Sequence, residues 1–404
     1  MRETFIFKDS IKNIGSKSAK KKKYLKKFIQ IRQKIIKNLD IEKDTFHVLS
    51  EKFKLDFKVK DLKKFNEFKN VVIIGMGGSV LGSEAIHEFL KIKIKKKIYF
   101  LNDINIEKLE KVRNKINLKK TLFIIISKSG STVETISNFL SLNIIKKNAK
   151  NIILISEKGN NFIYNLSQKF NLFHIDHKKY IGGRYSVLSE VGIVPSYFMG
   201  INIFELRKNL RNYFKNKKIN LKSKTLISLA SSISQKRFTN LIFLNYSPRI
   251  EKFLYWLQQL KAESLGKQGL GLFPVISNAP KDHHSLLQLY LDGPKDKIFY
   301  IFYSSENNKQ KIKINKFYTN EKFLKNKTLS NIKNAQKNAI IKVFREKKIP
   351  FREFGINEFN EKTLGELFSF FIIETAILGK LLGINPFNQP AVERVKKITK
   401  KFLN

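Results

Sequence analysis

A chain of 404 residues with 42% hydrophobic side chains is globular by composition and too long for one compact core, so about two to three units are expected. Its 79 Lys and Arg stand against 33 Asp and Glu, a net charge of +46, and it has no Cys. The lack of Cys excludes a disulfide framework and a thiolate metal site, which makes the cytoplasm the expected compartment. So basic a chain ordinarily suggests a polyanion partner, yet the lysines are scattered over the apparent solvent face of nearly every helix. Only residues 17–23 (KSAKKKK) form a block, and it reads as a solvated helix start rather than a stripe for nucleic acid. No uncharged apolar run is long enough for a membrane partner: residues 364–384 are interrupted by Glu366, Glu374 and Lys380 and read as a buried helix. The amino end lacks the apolar core of an export signal.

Residues 1–65 are Lys-rich, with Tyr24, Phe28, Ile31, Ile35 and Leu39 at helical spacing, and are expected to form a helical packing arm. A buried strand follows over 71–74, then Gly75, Met76, Gly77, Gly78 and Ser79, then a helix through Ala85 and Phe89. Glycines let a backbone approach an anion closely, and Ser79 can cap the helix or donate its hydroxyl. The pattern is not the glycine fingerprint of a dinucleotide site. Further strands are expected over 98–101, 122–126 and 152–155 with helical text between them, which is a βαβ alternation and so a parallel sheet covered by helices. The run 122–126 ends in Ser127, Lys128, Ser129, Gly130, Ser131 and Thr132, and Ile136, Phe139, Leu140 and Asn143 then continue at helical spacing. Hydroxyls, a lysine and free N–H groups thus meet at a helix amino end, a place suited to phosphate. One such loop is equally an ordinary Ser/Thr cap; the second, earlier loop favours the anion site.

Gly182, Gly183, Arg184, Tyr185 and Ser186 lead into a helical linker over 190–206. A second alternation begins near residue 225, with strands over 241–245, 272–276 and 297–303 and helices over 248–265 and 284–291. The tail reads as helices over 320–347 and 362–382 flanking a strand near Phe351, a Pro-bounded loop over 385–390 and a last amphipathic helix. The expected class is therefore α/β, with an arm over 1–65, doubly wound parallel-sheet units over 66–200 and 201–355, and a helical segment over 356–404.

Several residues have chemistry to offer. Glu263 closes the helix that carries Trp256 and Leu260, beside a glycine turn, where a carboxylate sits against the helix dipole; its bland alternative is a surface Glu paired with Lys. His283 and His284 open the next helix after Asp282, so one of them can face a cleft, although a His there is more often a cap. His174, Asp176 and His177 alternate like a metal pair but have no third ligand nearby. Arg184 in its glycine turn is a fixed cation suited to an oxyanion.

The motifs GMGGSVLG, SKSGSTVET, GGRYSVLSEVG, QQLKAESLGKQG, HHSLLQLYLDGP and INPFNQPAVERVKK together closely resemble the glucose-6-phosphate isomerase family, in order and over most of the chain. The resemblance implies two sugar-isomerase (SIS) domains with helical arms, and the isomerisation of glucose 6-phosphate to fructose 6-phosphate through a cis-enediol(ate) without metal or nicotinamide cofactor. It implies a phosphate cradle at Gly78, Ser79, Ser127, Lys128, Ser129 and Thr132. Glu263 would be the base moving a proton between C1 and C2, with Arg184 steadying the enediolate. His284, with His283 as rival in register, would assist ring opening; Lys396 matches the family lysine after V-E, and Gln259 and Gln389 would line the substrate. In this family the histidine serves the neighbouring subunit's site, so a homodimer is implied. Two departures stand out: Asn388 where Asp is usual, and Ala391 for a Gly, whose methyl would crowd the loop holding Gln389.

Two rivals remain from the sequence. A phosphoglucose/phosphomannose enzyme of the same superfamily is disfavoured by Lys128 and the complete E-S-x-G-K motif. An SIS module that senses a sugar phosphate and binds nucleic acid would explain the charge, but would not need Glu263, Arg184 and Lys396 together.

Overall fold

Runs of Val, Ile and Leu without a polar face can pair as strands only where both sides are covered, and the chain does this twice. The computed structural model describes residues 4–11, 18–215, 221–305, 310–313 and 321–403; Lys17 of the basic block and Asn320 at the start of the expected tail helix lie outside them. Among the described residues ten strands form, in chain order: β1 (Phe5–Asp9), β2 (Asn70–Gly75), β3 (Lys97–Leu101), β4 (Thr121–Ile126), β5 (Ile152–Ser156), β6 (Phe173–Asp176), β7 (Asn240–Asn245), β8 (Phe273–Asn278), β9 (Lys297–Ser304) and β10 (Phe351–Ile356).

The first sheet has the order β3-β2-β4-β5-β6 and is parallel throughout. Every residue of β4 and β5 is buried, as their unbroken aliphatic runs require. Because β3 and β4 flank β2, the chain leaves β2 in one direction and returns on its other side. That reversal opens a crevice beyond the carboxyl ends of β2 and β4. Gly75 pairs with Ile126 at the last register position, so the glycine loop and the serine loop leave the sheet side by side.

The second sheet has the order β1-β10-β9-β7-β8, with β7 to β10 parallel. Its edge corrects the expectation of a wholly helical arm: Phe5–Asp9 pairs antiparallel with β10, Phe5 opposite Ile356 and Asp9 opposite Arg352. Alternation explains it. Phe5 is buried, and Phe5 and Phe7 both pack their rings against Phe354 and Phe370, a period of two that the Lys-rich helical text downstream obscures. The remainder of the arm is helical over Ser18–Asn38. The expected tail helix starts later, at Leu329, where Thr328 caps it after a short turn at Lys322–Leu324, and it runs to Glu346; Ala391–Phe402 forms the last helix. These two sheets with covering helices are the mixed α/β architecture that was expected.

The helix Glu361–Leu382 is buried along nearly its whole length, and no helix among the described residues is long and apolar enough to cross a membrane. Its Glu374 explains how a charge survives there. The carboxylate accepts from Lys261 Nζ at 2.8 Å and from Arg352 Nη2 at 2.6 Å, and all three side chains are at most 2% exposed. Despite burial, Arg352 and then Lys261 hold this carboxyl down at about 2, far below the ordinary 4.5. Glu374→Gln is expected to destabilise the fold by about 3–5 kcal/mol, since it strands two cations in the core, as urea denaturation would show. The sign in pH follows. A depressed folded pKa contributes stability that is fully present above the ordinary carboxyl range and lost as pH falls toward about 2, so the variant's stability should vary less over that acid window.

Candidate active site

Two helices begin directly behind the paired loops. Gly77–Ser79 makes a single tight turn before the helix Leu81–Phe89, and Thr132 precedes the helix Val133–Ser141. Neither start carries a side-chain cap, whereas Asn105, Asn161 and Asn360 cap helices elsewhere. Their amino-terminal N–H groups are therefore not taken up by a capping side chain. Ser127 Oγ and Thr132 Oγ1 lie 2.9 Å apart across the serine loop, and Ser129 Oγ accepts from Ser131 Oγ at 3.1 Å. Lys128 donates to the Lys179 carbonyl at 2.9 Å and pairs with Glu157 at 3.5 Å; burial pulls its ammonium below the usual lysine value, partly opposed by Glu157. Repulsion from Arg184 contributes to the same shift, so the serine loop and the arginine turn share one field.

Glycine is required where the first loop meets that turn. A Cβ on Gly78 would lie 2.3–2.6 Å from backbone atoms of Gly183 and Arg184, a clash that no side-chain motion relieves. Gly77, at φ +51, brings the backbone against Gln259, whose Nε2 would be 2.8 Å from an added Cβ. Gln259 and Glu263 sit one turn apart on the helix Glu251–Leu265, and Gln259 Nε2 donates to Glu263 Oε1 at 3.0 Å. The other carboxylate oxygen, Oε2, accepts from Arg184 Nη1 at 3.1 Å.

Arg184 is 1% exposed at its side chain, and every face of its guanidinium is engaged. Its Nε donates to Ser264 Oγ at 2.8 Å, Nη1 to Gln389 Oε1 as well as Glu263, and Nη2 to the carbonyls of Pro386 (2.6 Å) and Asn388 (3.1 Å). Tyr185 Oη adds hydrogen bonds to Ser264 Oγ at 2.8 Å and to the Pro386 carbonyl at 3.0 Å. The planar fork of arginine suits this; a lysine has too few donors in the wrong directions. Motifs far apart in sequence thus meet: the glycine loop, the arginine turn, the E-S-x-G-K helix end and the 385–390 loop. A carboxylate lies in that cluster with one amide and one guanidinium on it, next to the glycine loop.

The comparisons with known proteins agree in kind. The family model described as phosphoglucose isomerase matches residues 33–404. The chain belongs to the phosphoglucose isomerase family. A probable glucose-6-phosphate isomerase of Methanococcus maripaludis is 32% identical over 98% of this chain and 93% of its own length. The glucose-6-phosphate isomerase of Methanocaldococcus jannaschii is also 32% identical, over 85% and 86%. Among solved structures, a glucose-6-phosphate isomerase from Chlamydia trachomatis superposes with a TM-score of 0.79 at 17% identity, covering 100% of this chain and 89% of that one, a likeness of fold.

Within this family member, some residues singled out from the sequence stand apart from the network. Lys396 is on the exposed last helix and pairs with Glu393 at 2.8 Å, three residues away. His284 is exposed, and it occupies the tight turn Lys281–His284 ahead of the helix Leu287–Asp292, not the helix itself as expected. His283 is bound to Tyr246 Oη at 2.8 Å, which leaves His284 the freer of the two rings. Asn388 meets Arg184 through its backbone carbonyl, so the change from Asp leaves that contact in place, and Ala391 is exposed at the start of the last helix. His174 is hydrogen-bonded to Ser156 Oγ at 2.9 Å, Asp176 accepts from the Lys158 N–H at 2.8 Å, and burial drives His177 down to about 4, in keeping with a structural role for all three. The sequence reading leaves Tyr185 and Ser264 without a role; their hydroxyls stand next to Arg184 and Glu263 in the two motifs, which is the signal that could have found them.

Proposed function

We propose that this chain interconverts glucose 6-phosphate and fructose 6-phosphate through a cis-enediolate, with Glu263 as the single base that moves a proton between C1 and C2. The observation that carries the reading is the carboxylate of Glu263 held by Gln259 and Arg184 in a cluster that also packs against the glycine loop. Aldose–ketose exchange needs one base reaching two adjacent carbons from one face, and a carboxylate with two oxygens in fixed positions is suited to it.

The remaining roles follow from charge. Gly78, Ser79, Ser127, Lys128, Ser129 and Thr132 would hold the ester phosphate at the crevice, fixing the far end of the sugar so that its reacting carbons are presented to Glu263. Arg184 opposes the negative charge that grows on the enediolate oxygens, and being pinned in advance it need not reorganise. Gln259 and Gln389 border the same space. His284 and Lys396, both exposed, would act in a cytoplasmic homodimer in which His284 reaches the neighbouring subunit's site.

Running the reaction in D2O tests the enediolate. A carboxylate that carries the proton exchanges it with solvent during part of the turnovers, so fructose 6-phosphate should contain deuterium at C1, read by NMR. Product with no deuterium at any extent of reaction would indicate direct hydride migration and remove Glu263 as the base.

A further inference from the structure

Lys267 closes the E-S-x-G-K motif, and none of the roles above uses it. Its Nζ donates to the Asn385 carbonyl at 2.6 Å and to the Ser264 carbonyl at 3.4 Å, so it joins the last turn of the helix Glu251–Leu265 to the first residue of the 385–390 loop. That loop contains no charged residue. It is gripped through its carbonyls instead: Asn385 by Lys267, Pro386 by Arg184 and Tyr185, and Asn388 by Arg184. Gln389, at the loop's far end, then meets Arg184 through its side chain.

We propose that Lys267 is a positioning residue whose ammonium ties the 385–390 loop to the end of the Glu263 helix and so keeps Gln389 and Arg184 in register with Glu263. The inference rests on the isomerase reading with Glu263 as base. Without the tie, Asn385 loses its charged donor, and the loop is left to its Arg184 and Tyr185 contacts and to the packing of Phe387 against Phe46, which do not fix its first residue to the end of the Glu263 helix. A 2.6 Å ammonium–carbonyl bond is of the charge-assisted kind, whose strength depends on the proton.

The charges around it set when that proton is lost. Burial first, and then repulsion from Arg184, pull the Lys267 ammonium down to about 8, with Glu263 acting in the opposite sense. On the loop's other side, Lys380 of the helix Glu361–Leu382 lies over the Phe387 ring at 5.5 Å. Turnover is therefore expected to fade as pH rises through about 8. Unfolding does not produce the same limb through this group. A lysine whose folded pKa lies below its ordinary 10.5 binds its proton more weakly in the folded state, so its contribution to stability improves as pH rises between the two values.

The test is the pH profile of kcat at saturating glucose 6-phosphate for the wild type, Lys267→Arg and Lys267→Met. Lys267→Met should lower kcat about tenfold at neutral pH, the lower end of what a hydrogen bond to a charged group carries, and its profile should lack the limb near 8. Lys267→Arg keeps a cation at every working pH, so it should restore most of the turnover and carry the limb upward by about one unit or more. Wild-type turnover in Lys267→Met, or a limb that stays near 8 in Lys267→Arg, would overturn the proposal. The base assignment fails by a different measurement, full turnover of Glu263→Gln, so the two failures are distinguishable.

Discussion

Glu263→Gln is expected to lower kcat by about 10²–10⁴-fold while leaving KM for glucose 6-phosphate within a few-fold of wild type. The amide has the shape of the carboxylate and keeps an oxygen for Arg184, so the cluster of Gln259, Arg184 and Gln389 can persist around it. What it loses is basicity. Phosphate binding is expected to survive because the groups proposed for it belong to the loops after β2 and β4, on the other sheet. Steady-state kinetics with a coupled dehydrogenase, alongside a urea midpoint close to wild type, would isolate the chemical defect. A variant that turns over at the wild-type rate would remove Glu263 from the mechanism.

The second large effect is expected from Arg184→Met, and it should appear in stability and in turnover together. Methionine fills the volume but supplies none of the hydrogen bonds that Arg184 makes. The carbonyls of Pro386 and Asn388 lose their guanidinium donor, as does Ser264, beneath a side chain that is 1% exposed. A loss of about 3–5 kcal/mol follows from buried groups left without partners. Turnover should drop by about 10²–10³-fold, the scale of removing a prepositioned group that faces developing negative charge. Arg184→Lys should recover charge without the fork and fall between the two. Denaturation curves and kcat for both variants check this; wild-type stability in Arg184→Met would show that the 385–390 loop is held by other means.

Much of this architecture is legible along the chain because its signals are local. A strand such as Thr121–Ile126 declares itself by an unbroken aliphatic run, and the polar loop after it declares the carboxyl end of a parallel strand. The glycine loop and the serine loop are legible as strand-to-helix loops for the same reason, since the helix start lies next to the loop in sequence. The edge strand Phe5–Asp9 was not legible: its partner is Phe351–Ile356, and nothing within five residues announces a pairing over such a separation. At His284 the expected helix start divides into one 3-10 turn, Lys281–His284, and a helix that begins at Leu287.

By itself the sequence determined the α/β class, the strands β2 to β5 and β7 to β10, and the standing of Glu263 and Arg184 as groups with chemistry to offer, since each depends on neighbours a few residues away. Only the tertiary structure decided that Arg184 spends its donors on Ser264, Glu263, Gln389 and two carbonyls at once, and that Lys267 closes the loop from the other side. A guanidinium in a glycine turn could have met any acceptor; which ones it meets depends on how two sheets and a buried helix pack, and packing is a property of the whole chain.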